Sequence, residues 1–128
     1  MKEHKKKPVF LNLVKIKLPI TGWVSIAHRI SGLLLFSAIP GLVYLLGLSL
    51  ASEAGYEEVV SLVQSFPFRA LIFLLIWALF YHLLAGVRFL LIDLDVGVGR
   101  QSARKSSALV MLGGILLAIL TGVLLWSG

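Results

Sequence analysis

Residues 30–51 run without a single charged side chain. A helix rises about 1.5 Å per residue, so a run of this length crosses the roughly 30 Å hydrocarbon core of a bilayer. Hydrocarbon offers backbone N–H and C=O groups no partner, and a helix satisfies them within the segment. Two later stretches, about 68–92 and 107–126, are similarly apolar, the first carrying His82 and Arg88 inside. The chain therefore reads as an all-α membrane protein with three transmembrane helices, at about 22–50, 68–92 and 107–126. Only 14% of its 128 residues are charged, against about 25% in a soluble domain. That leaves no room for a soluble enzyme domain beside the spans. There are no cysteines, which excludes disulfides, thiolate-held iron–sulfur clusters and covalent attachment of a c-type haem.

The remaining charges sit at the ends of the apolar runs. Residues 1–18 form a basic arm in which Lys2, Lys5, Lys6, Lys7, Lys15 and Lys17 oppose only Glu3. Lys15 and Lys17 interrupt the apolar residues there, so the start does not read as a signal peptide. Residues 9–18 suit either a segment lying at the membrane interface or a docking strip for a soluble partner. Pro19 ends the arm, Thr21 is placed to cap the first span, and Pro40 is expected to kink it. Residues 51–67 carry Glu53, Glu57 and Glu58 and no basic residue; they read as a polar loop that can hold a short helical turn. Residues 93–107, with Arg100, Arg104 and Lys105, read as a second loop. The positive-inside rule then places the N-terminus and the second loop on the cytoplasmic or matrix side, and the C-terminus outside. That orientation explains the net charge of +6 better than nucleic-acid binding does. The third span holds no ionisable group. Its Gly114, Ala118 and Gly122 repeat at i+4, a small-residue stripe that another helix can approach closely and that needs covering.

At the head of the first span stands Ser25-Ile26-Ala27-His28-Arg29-Ile30-Ser31-Gly32. Ser25, His28, Arg29 and Gly32 fall at i, i+3, i+4 and i+7 and share one helix face. An arginine here is costly unless it meets protein, water, an anionic ligand or, by snorkelling, the headgroups. Snorkelling accounts for Arg29 alone and not for the Ser-His-Arg face, and Gly32 implies that something packs close.

His82 lies about 11 residues, or roughly 16 Å, from the inner end of the second span. An ionisable residue near mid-membrane is a functional candidate. Ala78, Ala85 and Gly86 flank it and leave a trough that suits a flat porphyrin held through the imidazole. A neutral histidine bonded to a neighbouring helix suits the same small neighbours. His28 is roughly 9 Å deep, several ångströms shallower than His82, so an intrachain pair of axial ligands is disfavoured and a second ligand from another subunit is expected. Arg88 reaches the level of His28 and Arg29, where the three could neutralise propionates by charge-assisted hydrogen bonds. Alternatively, Arg88 pairs with Asp95 at i+7 or snorkels.

Pro19-Ile20-Thr21 followed by Ser25 to Gly32 resembles the signature of the cytochrome b membrane-anchor subunit of succinate dehydrogenase, respiratory complex II, in its bacterial form. Tyr81-His82, Gly86-Val87-Arg88 and Asp93 resemble that family's second-helix motif. The three-span layout, basic arm and length match as well. The resemblance implies a subunit that pairs with a second small membrane anchor and helps hold an iron–sulfur subunit and a flavoprotein on the inner face of the bacterial inner membrane. Succinate would be oxidised in the flavoprotein, and electrons would pass through the clusters to ubiquinone or menaquinone. His82 would be an axial ligand of haem b, with the other ligand from the partner anchor. Ser25, Ile26 and Arg29 would belong to the quinone site, and His28 and Arg29 would lie near the propionates. The residues themselves agree: a quinone carbonyl needs a hydrogen-bond donor and a proton route, Ser25 supplies a hydroxyl, and Arg29 can stabilise the negative charge of reduction.

Two rivals remain at this stage. One is a haem-free structural anchor of the same complex. The other is a small transporter or proton channel with His28, Arg29 and His82 as a relay, although three spans without an internal repeat suit that poorly.

Overall fold

A computed structural model of the chain describes residues 17–127. Four helices follow one another: α1 (Ile20–Ala51), α2 (Glu53–Gln64), α3 (Phe66–Asp93) and α4 (Arg100–Trp126). The basic arm falls outside the described residues up to residue 16. Helices α1, α3 and α4 are each long and apolar enough to cross a membrane.

The helices differ from the sequence reading in three places. Helix α1 begins one residue before Thr21, with Pro19 in extended conformation at the cap and no side-chain cap bond. Proline supplies the right φ and needs no donor there. Helix α1 then continues through Pro40. The polar loop after it is a 12-residue helix, α2. Ser52 caps it by accepting from the Gly55 amide at 3.0 Å, and Glu53 lies in its first turn, where the helix dipole favours an acid. Gly55 is buried against α1 so closely that a Cβ there would collide with the Leu48 carbonyl. Finally, α4 starts at Arg100, so its first turns are polar and invisible to a search for apolar residues.

The connection from α3 to α4 is a Schellman turn. Asp95 adopts a left-handed conformation at φ 59°, its amide donates to the Ile92 carbonyl at 2.9 Å, and Val96 N donates to the Leu91 carbonyl at 2.8 Å.

Helix α3 is central and packs on both α1 and α4, which also touch each other. The buried core is small: Val24, Tyr81, Ala85 and Val110, ringed by Ala27, Trp77, Leu84, Phe89 and Met111. Most large apolar side chains, such as Leu33, Phe36, Leu109 and Leu124, face outward, as lipid or a membrane partner requires. The small-residue stripe of α4 is covered within the chain. Tyr81 lies over Gly114, Trp77 Nε1 donates to the Gly114 carbonyl at 3.2 Å, and Phe73 lies beside Gly122. At the far end, Trp126 meets Phe66 and Phe73 edge-on.

Gly114→Ala is expected to lower the unfolding temperature of the purified assembly. Its Cβ would lie 2.9 Å from Cδ2 of Tyr81, a side chain only 2% exposed, and overpacking of this kind costs about 1–3 kcal/mol. At Gly122 the added Cβ would meet Phe73 at an ordinary 3.6 Å, so Gly122→Ala should be neutral or slightly stabilising. Thermal unfolding of both variants checks this, and equal melting temperatures would contradict it.

Candidate functional site

Helices α1 and α3 meet through two histidines, each set on a glycine of the other helix. A Cβ on Gly32 would lie 3.0 Å from Cε1 of His82, and one on Gly86 would lie 3.6 Å from Nε2 of His28. The two imidazoles stack with centroids 4.0 Å apart and planes 13° from parallel. Phe89 closes the edge of His28 at 5.2 Å. The sequence had suggested different depths for the two residues; the register set by Gly32 and Gly86 brings their rings level. Stacked rings still cannot clamp one iron from opposite sides, because a metal between their nitrogens would hold the ring centres well beyond 4.0 Å.

The trough expected around His82 is largely occupied. Ala78 and Ala85 are fully buried inside the chain, and His28 sits on Gly86. His82 itself is partly exposed at the edge of the helix pair. Both hydrogen bonds of its ring go through Nδ1, to Ser31 Oγ at 3.0 Å and to the His28 carbonyl at 3.2 Å. Nε2 is engaged by no other described residue. Among the described residues no group of three or more His, Cys, Asp or Glu could hold a bare metal ion. A single imidazole nitrogen without a hydrogen-bond partner instead suits a metal whose equatorial positions are filled by a macrocycle. His28 Nε2 is buried without a hydrogen-bond partner, the kind of orphan that calls for an explanation.

A helix turns about 100° per residue. His28, Ser31 and Gly32 meet α3, and Ser25 and Arg29 lie further round. Accordingly, Val24 and Ser31 are buried, Ser25 and Ile26 are half-buried, and Arg29 is exposed. Arg88 takes neither of the alternatives weighed for it. It is 6% exposed, its Nε donates to Ser106 Oγ at 3.0 Å and its Nη2 to the Ala103 carbonyl at 3.3 Å, and it lies 5.3 Å over the Phe89 ring. Its bonds thus run to the polar first turns of α4 and not to Asp95.

Two grooves flank this region without including His82. One of about 340 Å³ runs between the outer parts of α1 and α3, from Leu34 to Leu75. Another of about 450 Å³ lies between α3 and α4, with Arg88, Ser106 and Lys105 in its lining.

Residues 3–122 match the family described as the succinate dehydrogenase/fumarate reductase transmembrane subunit. The chain belongs to that family. The succinate dehydrogenase cytochrome b556 subunit of Coxiella burnetii is 34% identical over 122 residues, spanning 94% of this chain and 98% of that protein. The b556 subunit of Paracoccus denitrificans is 32% identical, over 90% of this chain and 88% of its own length. The b560 subunit of Reclinomonas americana is 33% identical, over 94% and 84%. This chain is accordingly a membrane-anchor subunit of an oxidoreductase complex, and a multi-pass membrane protein.

Sequence reasoning overlooked Ser31 as the partner of His82 and Ser106 as the partner of Arg88. For Ser31 a signal existed. It follows His28 by three residues, so it sits one turn along the same face. For Ser106 none did, because residues 100–106 carry no apolar period.

Arg88→Leu is expected to destabilise the α3–α4 contact by about 1.5–3 kcal/mol, and Ser106→Ala by about 1 kcal/mol. Because they share a bond, the double variant should cost less than the sum. Denaturant unfolding of the four proteins checks this, and strict additivity would contradict it.

Proposed function

We propose that this subunit binds haem b through His82 and contributes Ser25, Ile26 and Arg29 to the site where quinone is reduced by electrons from succinate. The observation that carries the reading is the His82 ring: Nδ1 is tied to α1 by two bonds, while Nε2 makes no hydrogen bond to any described residue. Iron-bound histidines are held in this way, with the second ring nitrogen fixed by a protein acceptor. The names of the relatives, cytochrome b556 and b560, agree with a haem of the b type.

His28 cannot supply the second axial position, so that ligand comes from a second small membrane anchor. The complex also contains an iron–sulfur subunit and a flavoprotein, and the chain alone is inactive. It lies in the bacterial inner membrane with the N-terminus cytoplasmic and the C-terminus outside, as its charges require. When bound, the haem supplies a one-electron redox centre within the membrane. His28 and Arg29 would hold its propionates, with Arg88 adding a positive charge nearby.

At the quinone site, Ser25 donates a hydrogen bond to one carbonyl oxygen. Arg29, exposed on the adjacent edge of α1, holds a fixed positive charge where negative charge develops during reduction. A charge within a span demands such a counterpart. Both lie within the first three turns of α1, close to the water that delivers protons.

His82→Ala in the assembled complex should abolish or rearrange the low-spin haem spectrum; an unchanged spectrum and haem content would remove the ligand assignment. Ser25→Ala and Arg29→Leu should each lower electron transfer to quinone about ten- to a hundredfold, the worth of one buried hydrogen bond. Reduction of an artificial acceptor upstream of the quinone should persist. If Arg29 serves only the propionates, its loss changes the haem spectrum and spares quinone turnover. Normal quinone reduction by both variants would rule out the quinone assignment.

A further inference from the structure

We infer that Ser31 is the positioning residue of the haem ligand: its hydroxyl fixes the tautomer and orientation of His82 and tunes how strongly Nε2 donates to iron. The inference rests on the ligand reading of His82. Ser31 is 1% exposed, and in a bilayer no water replaces its bonds. The Ser31 hydroxyl donates to the His28 carbonyl at 2.7 Å, one turn back on α1. Its proton is thereby committed, and the lone pairs of Oγ face Nδ1 of His82 at 3.0 Å. The second neighbour of Nδ1 is the His28 carbonyl oxygen at 3.2 Å, which only accepts. A lone pair on Nδ1 would face two acceptors, so Nδ1 carries the proton. The neutral ring then has its lone pair on Nε2, the form that binds a metal.

The same contact predicts an electronic effect. An acceptor on Nδ1–H pulls the ring toward imidazolate and makes Nε2 a more basic ligand. That favours oxidised iron and lowers the haem potential. Removing the serine hydroxyl leaves only the longer bond to the His28 carbonyl and frees the ring to turn.

The test uses the full assembled complex and four variants: Ser31→Ala, Ser31→Thr, Ser37→Ala and His82→Ala. Haem content, the reduced-state optical spectrum and a potentiometric titration are read on each. Ser31→Ala is expected to raise the haem midpoint potential, shift the haem absorption and weaken haem retention about 10- to 100-fold. Ser31→Thr keeps the hydroxyl and should restore the wild-type potential. Ser37 is the control: its hydroxyl also bonds back into α1, to the Leu33 carbonyl at 2.8 Å, but it is exposed and has no bond to a histidine. Its removal should leave the potential unchanged. Where assembly falls, spectrum and potential are taken on the assembled fraction. If Ser31→Ala keeps the wild-type potential and spectrum while His82→Ala loses the haem signature, the role of Ser31 is overturned and the ligand stands. If His82→Ala leaves the haem intact, the ligand reading fails and the role of Ser31 fails with it. An equal shift from Ser37→Ala would mark the effect as general helix disturbance and overturn the proposal.

Discussion

Everything near the candidate site depends on how two imidazoles fit into two glycine notches. His28 occupies the space over Gly86, and His82 the space over Gly32. This reciprocal fit sets the register of α1 against α3, and with it the depth of every polar group on the two helices. Dispersion between close-packed surfaces, and not expulsion of water, is what holds membrane helices together. A methyl group at Gly32 would therefore crowd His82, whereas one at Gly86 would meet His28 at an ordinary 3.6 Å. The fit also places polar groups within a span where they have partners: Ser31 and the His28 carbonyl satisfy one ring nitrogen of His82.

The bilayer imposes a second constraint, that no buried donor be left without an acceptor. Arg88 meets it through α4, with Ser106 and the Ala103 carbonyl as acceptors. The cost of a charge within a span is thus met by extending α4 backward into a polar segment, and this ties the end of α3 to the start of α4. The opposite end is held differently, by Phe66, Phe73 and Trp126 meeting edge-on. Between these fastenings, Tyr81 fills the hollow over Gly114. Helix α3 is therefore anchored on both flanks, a rigid mount for the histidine it carries.

The three spans were legible because hydropathy alone dictates them, and the family was legible in Ser25 to Gly32 and in Tyr81-His82. The extent of the helices was less so. Helix α2 is longer than the short helical turn its polar, acidic sequence suggests, although Ser52 before Glu53 is a cap signal. The first turns of α4 hold only Ala103 among polar and basic residues, too little for an apolar period. The stripe of Gly114, Ala118 and Gly122 announced close packing correctly, yet a stripe cannot name its partner, and α3 of the same chain fills it. In the candidate site, helical periodicity found the face of α1 but not its split between Ser31 and His28 turned inward and Arg29 turned outward. That split depends on crossing geometry, which one helix's sequence does not contain. The bonds of Arg88 to α4 were hidden for the same reason.

The central claim is that α1 holds His82 with a proton on Nδ1 and an unprotonated, ligating Nε2. Nitrogen-15 NMR of histidine-labelled complex in the reduced state, where low-spin ferrous haem is diamagnetic, tests it most directly. The His82 resonances should show a directly bonded proton at Nδ1 and none at Nε2, with Nε2 shifted by coordination to iron. A proton found on Nε2 of His82 would contradict both the tautomer and the ligation.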